Sequence, residues 1–303
     1  MTIGILMNPH AGARRWRRWS PRHLRKRLGE SVDIAETASL DEVPDALVAL
    51  RDRGIDTLVP FGGDGTVSRV LTAATGVWGE ALPPVYLVRG GTINMIANSL
   101  GMPRIDPVRA LRRLIEEGLA VTATRRLMCA DAGAVGFTFG FGAPVEFLRH
   151  YDGGGVTGAL GLIARAALSL GQDDGVAARL FAPVSLHWVA DEVSCGPTEM
   201  RLLLAMTIDE LSLGFRVAPG AGADGAAMHL IHGSVSPGFV VRHLRAFHAG
   251  EKVTGPGLFR ARHAALEFVF DEPTSWMMDG DIYPPQRHLQ LRLGPWVSFR
   301  GHA

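Results

Sequence analysis

The 303-residue chain is 47% hydrophobic and 20% charged, and its formal net charge is +1. That length supports a sizeable core, expected in two domains. Cys129 and Cys195 are too few for a disulfide framework and no CxxC pair offers a zinc site, so a reducing, cytoplasmic setting is expected. Ile3 to Met7 reads as a short strand rather than a signal sequence. The longest apolar run, Val156 to Leu170, is interrupted by Arg165 and is shorter than the about 20 residues that span a bilayer. The chain is expected to be soluble or to meet membranes from one side only.

Strand and helix signals alternate over residues 1–120, the pattern of an α/β domain with a parallel sheet. Ile3–Met7 is a strand ending at Asn8-Pro9, with helix expected to about Gly29. Val32–Ala35 is a second strand. Leu40–Arg53 is a helix with Val43, Leu47 and Leu50 on one face and Gly54 past its end. Asp56–Pro60 enters the loop FGGDGT, a strand-to-helix turn followed by a helix from Val67. Pro84–Val88 is a fourth strand, closing in Arg89-Gly90-Gly91-Thr92, and helices fit Asn94–Leu100 and Pro107–Glu117.

Over residues 121–294 the segments shorten and read as β, punctuated by Gly and Pro. They are Thr122–Thr124, Gly136–Phe139, Val184–Trp188, Arg201–Thr207, Met228–Ile231, Leu266–Phe270 and Leu289–Leu293. A mostly antiparallel β-sandwich is expected, with helical insertions at Val156–Leu170 and Phe239–Ala249. Two loops of the first domain share a chemistry. Glycines let a ligand approach bare backbone, and a helix N-terminus following them suits phosphate. Ligands of open parallel sheets bind beyond the carboxyl ends of strands, where Asn8 and both glycine loops fall. A Walker cradle is absent, and no GxGxxG fingerprint stands at the first strand.

The motifs together resemble the diacylglycerol kinase catalytic-domain family, which includes bacterial lipid kinases and the sphingosine and ceramide kinases. Asn8-Pro9-His10-Ala11-Gly12 resembles its NPxxG opening, and Gly62-Gly63-Asp64-Gly65-Thr66 matches GGDGT. Gly91-Thr92-Ile93-Asn94 resembles GTxN, Ala218-Pro219 through Asp224-Gly225 the AP…DG segment, and Asp279-Gly280-Asp281 the DGE motif. The resemblance implies an ATP-dependent kinase that phosphorylates the primary hydroxyl of a membrane lipid such as diacylglycerol or ceramide. It implies that residues 295–303 return to the first domain. It places ATP contacts at Asn8, Thr37, Gly62, Gly63, Asp64, Gly65, Thr66, Val67, Ser68, Gly91, Thr92 and Asn94. Asp281 takes the place of the catalytic glutamate, with Asp279 and Asp64 assisting. Mg2+ is implied both with ATP and at Asp224, with backbone ligands at Ala221 and Ala226.

The chemistry suits these residue types. Phosphoryl transfer needs positioning and charge neutralisation, and a carboxylate can take the proton of the attacking alcohol. Asp279-Gly280-Asp281 also reads as a simple hairpin turn, and Asp224-Gly225 as a turn. Family members commonly carry Asp where Met95 stands, Glu at Arg69 and Pro at Arg89, so the charge balance around the loops is expected to differ. GGDGT is shared with NAD kinases. A soluble-substrate kinase of that kind and a non-catalytic nucleotide- or lipid-binding relative are therefore the alternatives. Arg14 to Arg27, rich in Arg and holding Trp16 and Trp19, suits an anionic membrane surface or a solvated helix face, with nucleic acid ranked below. Peripheral membrane association is expected, and a homodimer is left open.

Overall fold

The computed structural model describes residues 2–7, 19–91, 94–151, 155–172, 175–211, 214–223 and 225–301. It divides into a first unit, Met1–Leu127 with Pro295–Ala303, and a second, Met128–Gly294.

The first unit opens with β1 (Ile3–Met7), α1 (Pro21–Leu28), β2 (Val32–Glu36), α2 (Val43–Asp52) and β3 (Thr57–Phe61). Then come α3 (Asp64–Trp78), α4 (Met95–Ser99), α5 (Pro107–Glu117) and β4 (Val121–Ala130), whose last residues enter the second unit. The strands order β2-β1-β3, all parallel. β1 and β3 are buried along their whole length, as unbroken apolar runs in a covered parallel sheet must be. Ile3, Ile5, Val59, Tyr86, Leu111 and Leu114 join one core there. Local chemistry sets the helix starts. Ser20 caps α1 by accepting from His23 N, and Asp106 caps α5 by accepting from Val108 N and Arg109 N, each ahead of a proline. The long helix expected to follow Asn8 falls partly on residues 8–18, outside the described residues; α1 itself is short and begins at Pro21.

The fourth strand shrinks to one bridging residue. Val85 pairs with Leu58 on one side and Phe299 on the other, both in parallel. Leu58 N donates to Pro84 O (2.9 Å) and Tyr86 N to Leu58 O (2.9 Å), while Val85 N reaches Ser298 O (2.8 Å). Pro83 and Pro84 have no N–H to extend the ladder. The C-terminal residues are stitched in beside it: Arg300 donates to Thr57 Oγ1 (2.8 Å) and to Leu119 O (2.6 Å).

The second unit continues with β5 (Val135–Gly136), β6 (Thr138–Gly142), α6 (Ala143–His150), α7 (Gly155–Leu168), α8 (Val176–Leu180), β7 (Val184–Ala190), β8 (Val193–Met200), β9 (Leu202–Met206) and β10 (Met228–Gly233). It ends with α9 (Pro237–Ala249), β11 (Leu258–His263), β12 (Ala265–Met278) and β13 (Asp281–Arg300), the last passing into the first unit. Hydrogen bonding links ten strands in one sheet, β11-β10-β9-β6-β12-β13-β4-β5, with β7 and then β8 branching from β12. The expected antiparallel β domain is thus linked in one continuous hydrogen-bonded system. β12 makes the branch. Its first half pairs with β7 and its second with β6, and the register breaks between Val269 and Trp276, around Pro273. A bulge of this kind lets one strand serve two layers. Phe139, Phe141, Trp188, Phe268, Phe270 and Trp276 fill the core, with Phe139 and Phe268 stacked at 5.9 Å.

His232 on β10 sits 5.1 Å from the Trp188 ring and 5.6 Å from Phe259. Burial, helped by the nearby His263, pulls its pKa from 6.5 down to about 4. The folded form thus binds fewer protons than the unfolded one between those values, so the stability carried by neutral His232 is present above pH 6.5 and lost as pH falls toward 4. His232→Gln is expected to flatten the fall of Tm across that window. Thermal melts of both proteins in a pH series check it.

Candidate functional site

The order β2-β1-β3 sends the chain from β1 outward to either side, which is where open parallel sheets present ligand loops. Asn8 and Thr92 lie outside the described residues. Thr37, just past β2, is fully buried, and its N and Oγ1 both point to Met7 O at the end of β1 (3.0 and 3.4 Å). That threonine joins two strand ends.

The two glycine loops pack backbone against backbone. A Cβ on Gly63 would lie 2.7 Å from Gly91 Cα, and one on Gly90 would overlap the Gly62 carbonyl. Gly63 is thus demanded by Gly91 and Gly90 by Gly62 before any ligand is considered. Thr66 fills the space that a side chain at Gly62 would need. α3 starts on Gly63 without a side-chain cap, Gly65 lies in its first turn, and Val67 and Ser68 are buried on its inner face. Bare backbone ahead of an uncapped helix start is donor chemistry suited to phosphate, so the arrangement fits the triphosphate of ATP.

Asn94 turns inward on its own loop. It is left-handed (φ 53°), its Oδ1 accepts from Gly91 N (2.8 Å) and its Nδ2 donates to Gly91 O (2.7 Å). Its amide therefore closes the loop. Asp64 turns to α4: its Oδ1 accepts from Ile96 N (3.1 Å). Burial raises its pKa, and the backbone N–H groups of Met95, Ile96 and Asn94 work against that rise. One oxygen of the carboxylate expected to face a cation or the incoming hydroxyl thus ties down the start of the next helix. Arg89, expected to alter the charge balance around the loops, donates to Met102 O (3.0 Å) and Asn98 Oδ1 (2.6 Å). Arg69 is exposed on α3 and Met95 is buried.

In the second unit, Asp279 and Gly280 form the two-residue turn between β12 and β13, with Met278 opposite Asp281. Both turn residues have positive φ, 48° and 90°, as a primed hairpin turn requires. Asp279 is buried. Its Oδ1 accepts from Phe137 N (3.0 Å), Thr138 N (2.8 Å) and Thr138 Oγ1 (3.0 Å), and its N donates to Thr138 O (2.9 Å). A Cβ on Gly136 would meet this carboxyl group at 2.5 Å, so Gly136 makes room for it. Asp279 fixes the turn, and Asp281 is the partly exposed carboxylate that the turn presents. The hairpin reading and the acid–base reading are thus compatible. Sequence reading missed Thr138 and Gly136 as partners of Asp279. A separation of 141 residues leaves no local signal for them.

Asp224 lies outside the described residues. Around it Ala221 N bonds to Ala218 O (2.9 Å) and Ala223 N to Gly220 O (3.2 Å), so two carbonyls are used in turns. Ala221 is buried and Ala226 exposed. Among the described residues no group of three His, Cys, Asp or Glu side chains can hold a metal. Among its described residues this segment offers a cation backbone carbonyls and no carboxylate.

Residues 2–124 match the family model described as the diacylglycerol kinase catalytic domain. A protein of Xanthomonas euvesicatoria named "Probable lipid kinase YegS-like" is 28% identical over 250 residues, covering 80% of this chain and 77% of the relative. One of the same name in Cronobacter sakazakii is 31% identical over 93 residues, 31% of this chain and 30% of that protein. A solved diacylglycerol kinase of Bacillus anthracis shares the fold, with a TM-score of 0.65 over 99% of this chain and 97% of that one at 15% identity. Glycine loops, two-unit fold and relatives point the same way: the first unit is similar to the diacylglycerol kinase catalytic domain, and most of the chain is similar to proteins named as probable lipid kinases.

Proposed function

We propose that the protein transfers the γ-phosphate of ATP to the primary hydroxyl of a membrane lipid of the diacylglycerol or ceramide kind. The observation that carries the reading is the pair of interlocked glycine loops, 62–66 and 90–94, at the carboxyl end of the parallel sheet, within the segment matched to the kinase domain. These loops supply backbone N–H donors to phosphate oxygens and hold them still, which is most of what phosphoryl transfer asks of a protein. Asp281 takes the proton of the attacking hydroxyl, and Asp279 positions it by fixing the hairpin turn. The lipid-kinase relatives support a lipid acceptor.

Transfer of labelled γ-phosphate to diacylglycerol, ceramide, sphingosine, phosphatidylglycerol and NAD tests this. Phosphorylation of a lipid hydroxyl is the expected result. Label on NAD alone would make the protein a soluble-substrate kinase, and ATP binding without transfer would make it a non-catalytic relative.

The basic segment is the proposed route to the bilayer. Its described part supports attraction by charge alone. Arg22, Lys26 and Arg27 are exposed on α1, whereas Trp19 packs against the core of the first unit beside His23. Such attraction fades with salt, because screening shortens its reach to about 8 Å at physiological ionic strength. Vesicles rich in anionic lipid are expected to co-sediment the protein at low salt, and to lose it at high salt or when Arg22, Lys26 and Arg27 are changed to Gln. Salt-independent binding shared by the variant would place the docking surface elsewhere. No described helix is long and apolar enough to cross a membrane.

A further inference from the structure

We infer that Arg89 is a positioning residue which, with Asp64, fixes helix α4 at both ends and so sets where the second glycine loop stands against the first. The inference rests on the nucleotide reading of these loops. α4 is five residues long, too short to be stable alone. At its start, Asp64 accepts from Ile96 N (3.1 Å), across 32 residues of sequence. At its far end, the Arg89 guanidinium spans two acceptors. Nη1 reaches the Asn98 side chain (2.6 Å), and Nε reaches Met102 O just beyond the helix (3.0 Å). Arg89 is also the residue immediately before the loop. Its backbone therefore starts the loop while its side chain grips the helix that ends it.

Between these ties the loop has little freedom. Asn94 closes it on Gly91, and Gly63 and Gly91 face each other with no room for a side chain. Loosening α4 moves Asn94, and through Asn94 it moves Gly91. A shift of about 1 Å in a group that orients substrate is enough to cost up to about a hundredfold in rate. Two directed bonds from a planar guanidinium are needed to hold both acceptors at once, which a lysine ammonium does poorly.

The test compares Arg89→Met, Arg89→Lys, Asn98→Ala and the Arg89→Met/Asn98→Ala double variant. In steady-state transfer to lipid, Arg89→Met is expected to raise the KM for ATP about tenfold, leaving the KM for lipid unchanged. Arg89→Lys recovers part of the loss. The double variant is no worse than Arg89→Met, because both changes break one contact. Wild-type KM for ATP in Arg89→Met, or equal losses in both KM values that follow Tm, would overturn the inference. A second measurement does not depend on catalysis. Amide hydrogen exchange over residues 95–102 is expected to quicken in Arg89→Met, with exchange elsewhere in the first unit unchanged. Unaltered exchange there would overturn the clamp. Faster exchange in a protein that transfers no phosphate would leave the clamp standing and sink the kinase reading instead.

Discussion

Asp281→Asn is expected to lower phosphoryl transfer to lipid by a factor of about 10² to 10⁴, the usual cost of removing a general base. The substitution keeps shape and removes basicity. Of the two carboxylates in the hairpin, Asp279 has one oxygen committed to three donors and lies buried, so it holds the turn. Asp281 opens β13 with a partly exposed side chain, so the fold is expected to tolerate its change. Tm should therefore stay near the wild-type value while transfer collapses. Asp281→Glu restores the carboxylate one methylene further out and is expected to keep measurable activity. The check is labelled γ-phosphate transfer at saturating ATP, alongside thermal melts. Transfer at the wild-type rate by Asp281→Asn would remove the base assignment.

The parallel layer was legible because its strands are short, mostly apolar runs, Ile3–Met7 and Thr57–Phe61, separated by helices that begin at prolines. The fourth strand was over-read, since its apolar pattern carries no information about the prolines' missing donors or about the C-terminal partner at Phe299. In the second unit the strands at Val184, Leu202, Met228 and Leu266 were found. β8 and β11 were not. β8 reads VSCGPTEM, with Gly and Pro inside it, and β11 reads LFRARH, with two arginines. Such sequences look like loops until a neighbouring strand supplies the ladder. α6 and α8 are short and follow glycines, so their periodicity is too brief to register. At the candidate site the motifs fall on loops that meet in the fold, but the motifs do not show how their side chains are held. Asp64 and Asn94 bond to backbone, and Arg89 to Met102 O and the Asn98 side chain, partners that a motif does not encode. The glycines show the same limit. Their signature suggests room for a ligand, whereas at 63 and 90 the space is already taken by the opposite loop.

That last point yields a pair of glycine substitutions of opposite sign. Gly90 is buried, and its added Cβ would overlap the Gly62 carbonyl oxygen, carbonyl carbon and Cα, none of which can rotate away as a side chain would. Gly90→Ala must therefore push the two loops apart, at an overpacking cost of about 1–3 kcal/mol. Because both loops are proposed to hold the triphosphate, the same displacement is expected to lower transfer by about a hundredfold. Gly76 is the control. It lies on the exposed side of α3, a helix, with nothing within 4 Å of an added Cβ and no positive φ. Gly76→Ala is expected to stabilise the first unit by up to about 1 kcal/mol through helix propensity and a less flexible unfolded chain, with activity unchanged. Thermal melts and transfer assays on the two variants separate the effects. If Gly90→Ala behaves like Gly76→Ala, the loops are not in backbone contact, and the glycines of both motifs must be explained by the ligand alone.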